Sequence, residues 1–244
     1  MLDPKKWSKF YSCFSSFSIT PLHQQIATLI KEKAIYSKDI IDIGCGNGEY
    51  SICFSYLFDE VISLDISESV INSFSAKLDS TTSNIKPIAM DYQNYINCHD
   101  ISFLSFSPAI KNESDLKKII KLTKDYLFIL TVDKGSIDFH RYELLKYFPP
   151  KKSGFIKNAD WYRDILQSLN LVYEETAFPS STVEKMEKDY AIDYFITYFE
   201  ALGYPKEETN DKIKEYIENN VKNNYLYEQH ILNRILFTIK ITNK

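Results

Sequence analysis

The chain is 244 residues long, with 44% hydrophobic and 25% charged side chains, enough for one large α/β domain or two small ones around a sizeable core. Its net charge of −4 argues against a general nucleic-acid binder, which carries a basic face. No apolar run approaches the length of a membrane span, and four cysteines (Cys13, Cys45, Cys53, Cys98) without the paired spacing of zinc sites read as reduced thiols of a cytoplasmic protein.

In chain order, Trp7, Phe10, Tyr11, Phe14 and Phe17 recur at roughly helical spacing and predict a short amphipathic helix or lid. Serines interrupt this stretch and no small-residue cleavage site follows it, which argues against a signal peptide. Thr20-Pro21 starts a helix with the stripe Leu22, Ile26, Leu29 and Ile30. "DIIDIG" is a short apolar strand, and "EYSICFSYLF" a helix packed on it. "VISLD" (61–65) is a second strand, after which Ser67 caps a helix. "KPIAMD", "DISFLSF" (100–106) and "YLFILTV" (126–132) give a third, fourth and fifth strand, with the helix "ESDLKKIIKL" before the last. Strands alternating with helices at this spacing call for a parallel sheet covered on both faces.

Beyond Val132, residues from about 136 to 148 read as helical, "FPPKKSG" breaks the chain, and "ADWYRDILQSLN" is a further helix. "LVYEETAF" predicts a sixth strand, and Thr182 to about Asn224 a helical stretch broken at Gly203 and Pro205. "EQHILNRILFTIKIT" supplies a final antiparallel strand. The expected fold is a doubly wound, Rossmann-like, mostly parallel seven-stranded sheet with helical insertions. Its expected divisions are a lid (1–35), a core (36–135), helical insertions around the sixth strand (136–230) and the closing strand (231–244).

Three of the six glycines stand within five positions after the first strand, as Asp42-x-Gly44-x-Gly46-x-Gly48. A nicotinamide-binding turn wants G-x-G-x-x-G with a phosphate on the following helix. Here the third glycine comes one position early and Glu49 opens the helix, where its carboxylate opposes a phosphate.

On "DIGCGNGEYS", "VISLDIS" and "PIAMDYQNY", in that order, the chain resembles the class I S-adenosylmethionine-dependent methyltransferases from residue 40 to about 132. The resemblance implies that the turn Gly44, Cys45, Gly46, Asn47, Gly48 meets the methionine part and ribose of S-adenosylmethionine. A carboxylate is an acceptor with two oxygens, so Asp65 can take both ribose hydroxyls. Ile66 would lie on the adenine, Asp91 would accept from its amino group, and Tyr92 would stand beside the ring. Asp42 would support the cofactor's amino group or the glycine loop, and Tyr11 would touch the methionine part. Ser105 ends the strand at which the methyl should point. Where similar amino-directed nucleic-acid enzymes carry N-P-P-Y or D-P-P-Y, this chain has "SFSP", which speaks against methylation of adenine or cytosine amines.

Methyl transfer needs alignment and exclusion of water more than a metal, and no metal-ligand cluster stands out by spacing. His140, after the fifth strand, is the candidate general base, and Arg141 beside it could pair with a substrate carboxylate. The expected activity is methylation of a small molecule, with no membrane partner and a homodimer possible. RNA or protein methylation, transfer of another group of the same cofactor, and a non-catalytic cofactor-binding subunit stay open as alternatives.

Overall fold

The computed structural model describes residues 9, 18–148 and 157–242. The lid residues Trp7, Phe10, Tyr11, Phe14 and Phe17, and the break from Pro149 to 156, lie outside them. The described residues fall into two compact units.

The core unit comprises residues 18–131, 157–177 and 235–242. Its first helix, α1 (Pro21–Lys33), starts where the sequence predicts: the Thr20 hydroxyl accepts from the His23 amide, the His23 ring accepts in return from the Thr20 amide, and Pro21 stands where no intrahelical donor is needed. There follow β1 (Asp39–Ile43), α2 (Glu49–Ser55), β2 (Glu60–Asp65), α3 (Glu68–Ser75), β3 (Ile85–Ala89), β4 (His99–Ser105), α4 (Glu113–Lys121) and β5 (Thr123–Val132). The five strands pair in parallel in the order β3-β2-β1-β4-β5.

β1 lies central and covered on both faces, which is why it reads as an unbroken apolar run and not an alternating one. On one face Ile41, Ile43, Leu64, Leu104 and Ile129 pack with Leu116 and Ile119 of α4 and with Tyr162 and Leu166 of α6 (Ala159–Ser168). Elsewhere in this unit Phe103 meets Tyr50 and Phe54 of α2, with ring centroids 4.8 and 5.0 Å apart. The strand order runs outward in opposite directions from β1 and from β4, which makes their carboxyl ends the topological switch point, the place where ligands of such sheets bind.

The second unit comprises residues 9, 132–148 and 178–234. It holds β6 (Ile137–Asp138), α5 (Phe139–Leu145), α7 (Lys188–Ala201) and α8 (Lys206–Asn220). Two long strands, β7 (Tyr173–Glu187) and β8 (Tyr225–Lys240), have residues in both units. Leu144, Phe148, Met186, Phe195, Phe199, Ile213, Ile217 and Leu226 form the second unit's own core.

Among the described residues the sheet has eight strands where seven were expected. The additional β6 pairs antiparallel with β8, Ile137 opposite Ile231 and Asp138 opposite His230. Two residues carry no periodicity, so this strand left no pattern to read. β7 runs on to Glu187, past Thr182 where a helix was expected, because it pairs with β8. β8 lies beside β5 and antiparallel to it: the Ile241 amide donates to Asp125 O and the Asp133 amide to Asn233 O. No helix among the described residues is long and apolar enough to cross a membrane.

Candidate functional site

β1 delivers the chain into the glycine turn, where the Gly44 and Cys45 amides both donate to the Leu64 carbonyl of β2, at 2.7 and 3.1 Å. The Gly48 amide donates to Cys45 O at 3.0 Å and closes the turn before α2 begins. The three glycines have different reasons. A Cβ on Gly44 would stand 2.8 Å from Ser107 Oγ, and one on Gly48 would overlap the Phe74 ring. Gly46, at φ +54°, has nothing within 4 Å of where its Cβ would be. Internal packing therefore accounts for two of them, and the third presents bare backbone to open space at the carboxyl end of β1.

Asp65, at the end of β2, borders that space. Its Oδ2 accepts from the Gly46 amide at 3.2 Å and its Oδ1 from the Ser67 amide at 2.9 Å. Burial raises its pKa and these N–H donors pull it back. Ile66 beside it is 57% exposed. Asp91 follows β3, half-buried, its Oδ1 accepting from the Gln93 amide at 2.9 Å. Tyr92 departs from expectation: its ring is buried in the hydrophobic core and its hydroxyl donates to Asp115 Oδ1 at 2.8 Å, anchoring the loop to α4 instead of flanking an open ligand space.

Asp42 is 2% exposed and receives the Ser51 hydroxyl at 2.7 Å, which in turn receives that of Ser63 at 2.8 Å. Burial, with the Glu49 and Asp65 charges adding, pushes its pKa up to about 7 despite the Ser51 bond. Cys45 is buried, and burial pushes its thiol up. Asn47 is half-buried within the turn, and Ser105 half-buried at the end of β4. Tyr11 lies outside the described residues.

His140 belongs to the second unit and is 6% exposed. Its amide donates to both oxygens of Glu228, its Nδ1 lies 2.8 Å from the Tyr216 hydroxyl, and the Tyr227 backbone also bonds it. Burial lowers its pKa. Its imidazole is thus enclosed within the second unit, with its Nδ1 against the Tyr216 hydroxyl.

Arg141 is paired at 2.5 Å with Asp138 and stacked over Tyr198. Spacing along the chain missed what surrounds it. His230 bridges Asp138 at 2.7 Å and Glu184 at 3.3 Å, and these bonds push its pKa up to about 9. Asp138, Glu228 and His230 bring three potential metal donors within 4.8 Å of one another. The Arg141 guanidinium and the His230 imidazolium already supply the positive charge there.

Residues 40–127 match the profile of a family described as "Methyltransferase domain". No curated protein matches the chain. Among solved structures, YcgJ from Bacillus subtilis is similar with a TM-score of 0.57 at 12% identity, over 91% of this chain and 100% of that one. Magnesium protoporphyrin IX methyltransferase from Synechocystis PCC 6803, with bound SAH, gives 0.52 at 13% identity, over 97% and 93%. A precorrin 8w decarboxylase from Methanobacterium thermoautotrophicum gives 0.50 at 11%, over 95% and 94%. At such identities the likeness is one of fold, shared by different activities. Residues 40–127 thus match a methyltransferase domain, and their glycine turn stands at the switch point of a sheet with the fold of these structures.

Proposed function

We propose that the protein methylates a small molecule, holding S-adenosylmethionine over Gly46 and against Asp65. The cofactor, when bound, supplies a methyl group activated by a sulfonium. The observation that carries the reading is the open space at Gly46, whose amide is tied to the Asp65 carboxylate. A cofactor can therefore lie on the backbone there and reach an anchored acceptor. The Asp65 carboxylate takes backbone amides at both oxygens, and the acceptor capacity of two ionised oxygens leaves lone pairs for the ribose hydroxyls. Ile66 would cover one adenine face, and Asp91 would accept the adenine amino hydrogens. Gly44, Cys45, Asn47 and Gly48 shape the turn, Asp42 supports it from beneath, and Ser105 stands on the acceptor side.

A small acceptor is favoured by the acidic net charge and by the fold likeness to a porphyrin methyltransferase. Free thiols at Cys45, Cys53 and Cys98 support a cytoplasmic setting. Incubation with methyl-labelled cofactor and fractionated cell extract, followed by mass analysis, tests the acceptor. Label in metabolites is the expected result, whereas label confined to RNA or protein would overturn the small-molecule reading. For the site itself, Asp65→Ala should weaken S-adenosylhomocysteine binding by about 2–3 kcal/mol, the worth of charge-assisted hydrogen bonds. Calorimetry giving wild-type affinity in a folded variant would remove Asp65 from the site.

A further inference from the structure

The loop after β4 holds two features that cofactor contacts alone leave unexplained. Phe106 has φ +49°, a left-handed conformation that a bulky side chain adopts only under constraint from its surroundings. Part of that constraint is visible, since the Phe106 amide donates to Leu130 O of β5 at 2.9 Å. The next residue, Ser107, is 5% exposed. Its Oγ accepts from the Ala109 amide at 3.3 Å and stands 2.8 Å from where a Cβ of residue 44 would be. The first residue of the glycine turn is thus set between two strand ends: the Leu64 carbonyl of β2 takes its amide, and the Ser107 hydroxyl of the β4 loop fills the place where its Cβ would stand. Glycine at 44 and serine at 107 fit as a pair, for any side chain on 44 needs the place that the hydroxyl fills.

We propose that Ser107 is a positioning residue for the cofactor, acting through Gly44 to set the seat of the turn in which Gly46 meets the ligand. The strained backbone at Phe106 is what delivers Ser107 to that position. This rests on the cofactor reading above. It concerns a residue that need not touch the cofactor at all.

The test is calorimetric titration of the full chain with S-adenosylhomocysteine. Ser107→Val puts a methyl against Gly44 and should weaken binding by about tenfold or more, the size of coupling usual for residues in contact. Gly44→Ala should weaken it similarly. Placing Gly44→Ala in a Ser107→Gly background removes the overlap and should recover affinity by about threefold or more over Gly44→Ala alone, although the left-handed backbone still disfavours alanine. A residue of merely structural importance would shift melting temperatures with no such coupling in affinity. Additive losses in the double variant, or wild-type affinity in Ser107→Val, would overturn the proposal. Should Ser107→Val not fold, Ser107→Ala joins the cycle in its place and the same non-additivity decides. If Asp65→Ala loses affinity while the Ser107 and Gly44 variants do not couple, only this inference fails. If the wild-type chain does not bind S-adenosylhomocysteine, the cofactor reading itself fails.

Discussion

Gly46 and Gly48 sit two residues apart and should answer substitution in opposite ways. Gly48→Ala drives a methyl into the Phe74 ring, and overpacking of that kind costs about 1–3 kcal/mol on top of the left-handed backbone. It should appear as a lowered melting temperature. Gly46→Ala meets open space and should cost about 1 kcal/mol of stability, while its methyl enters the volume assigned to the cofactor and weakens S-adenosylhomocysteine binding more than it weakens the fold. Equal effects on stability and binding in both variants would contradict the division of labour drawn among the glycines. For His140→Ala the expected outcome is a stability loss of about 1–3 kcal/mol from removing a buried ring and its hydrogen bond to Tyr216. A fall in turnover at unchanged stability would instead restore it as a base. Asp42 carries a pH signature. Its folded pKa of about 7 exceeds the ordinary 3.8, so the folded state binds more protons between those values. The Asp42 contribution is therefore greatest below pH 3.8 and is lost as pH rises through about 7. Asp42→Asn should gain stability relative to wild type at pH 8, with the gap closing toward pH 4 in denaturant titrations.

At the scale of elements, local chemistry made the amino-terminal half readable. Thr20 and Ser67 cap their helices as their types and positions suggest, and Asn112 caps α4 by accepting from the Asp115 amide. Thr20→Ala should cost about 1 kcal/mol, measured as a shift in the unfolding midpoint. Buried parallel strands announce themselves as apolar runs. The carboxyl-terminal half gave less. Residues 182–187 (Thr-Val-Glu-Lys-Met-Glu) have neither strand alternation nor a helical stripe, and only pairing with β8 makes them strand. Tyr92 shows the same limit at a single position, because an aromatic beside a motif can face the ligand or the core, and a hydrogen bond to Asp115, more than twenty residues away, settles which.

Over the whole molecule, each unit has its own core and its own electrostatics. In the second unit, Asp138 and Glu184 hold His230 protonated up to about pH 9, above the ordinary 6.5. Its stabilisation is fully present below pH 6.5 and is lost as pH rises through about 9. Against the cost of burial, His230 and Arg141 depress Asp138, while His230 depresses Glu184, so the carboxylate share is lost as pH falls through their lowered values. The stability difference between wild type and His230→Asn should therefore be widest near pH 6 and narrow toward pH 9.5. A difference independent of pH would mean that the imidazole is held by packing alone.

The sequence by itself determined the alternation of strands and helices, the glycine turn and the acid at the end of β2, because these depend on neighbours along the chain: apolar period, caps, and glycines where a side chain cannot stand. Only the tertiary structure decided that Gly44 and Gly48 answer to Ser107 and Phe74, that Gly46 alone of the three lies open, and that Asp138, Glu184 and His230 meet. Those facts depend on side chains brought together from distant positions, and a one-dimensional pattern holds no distance between them.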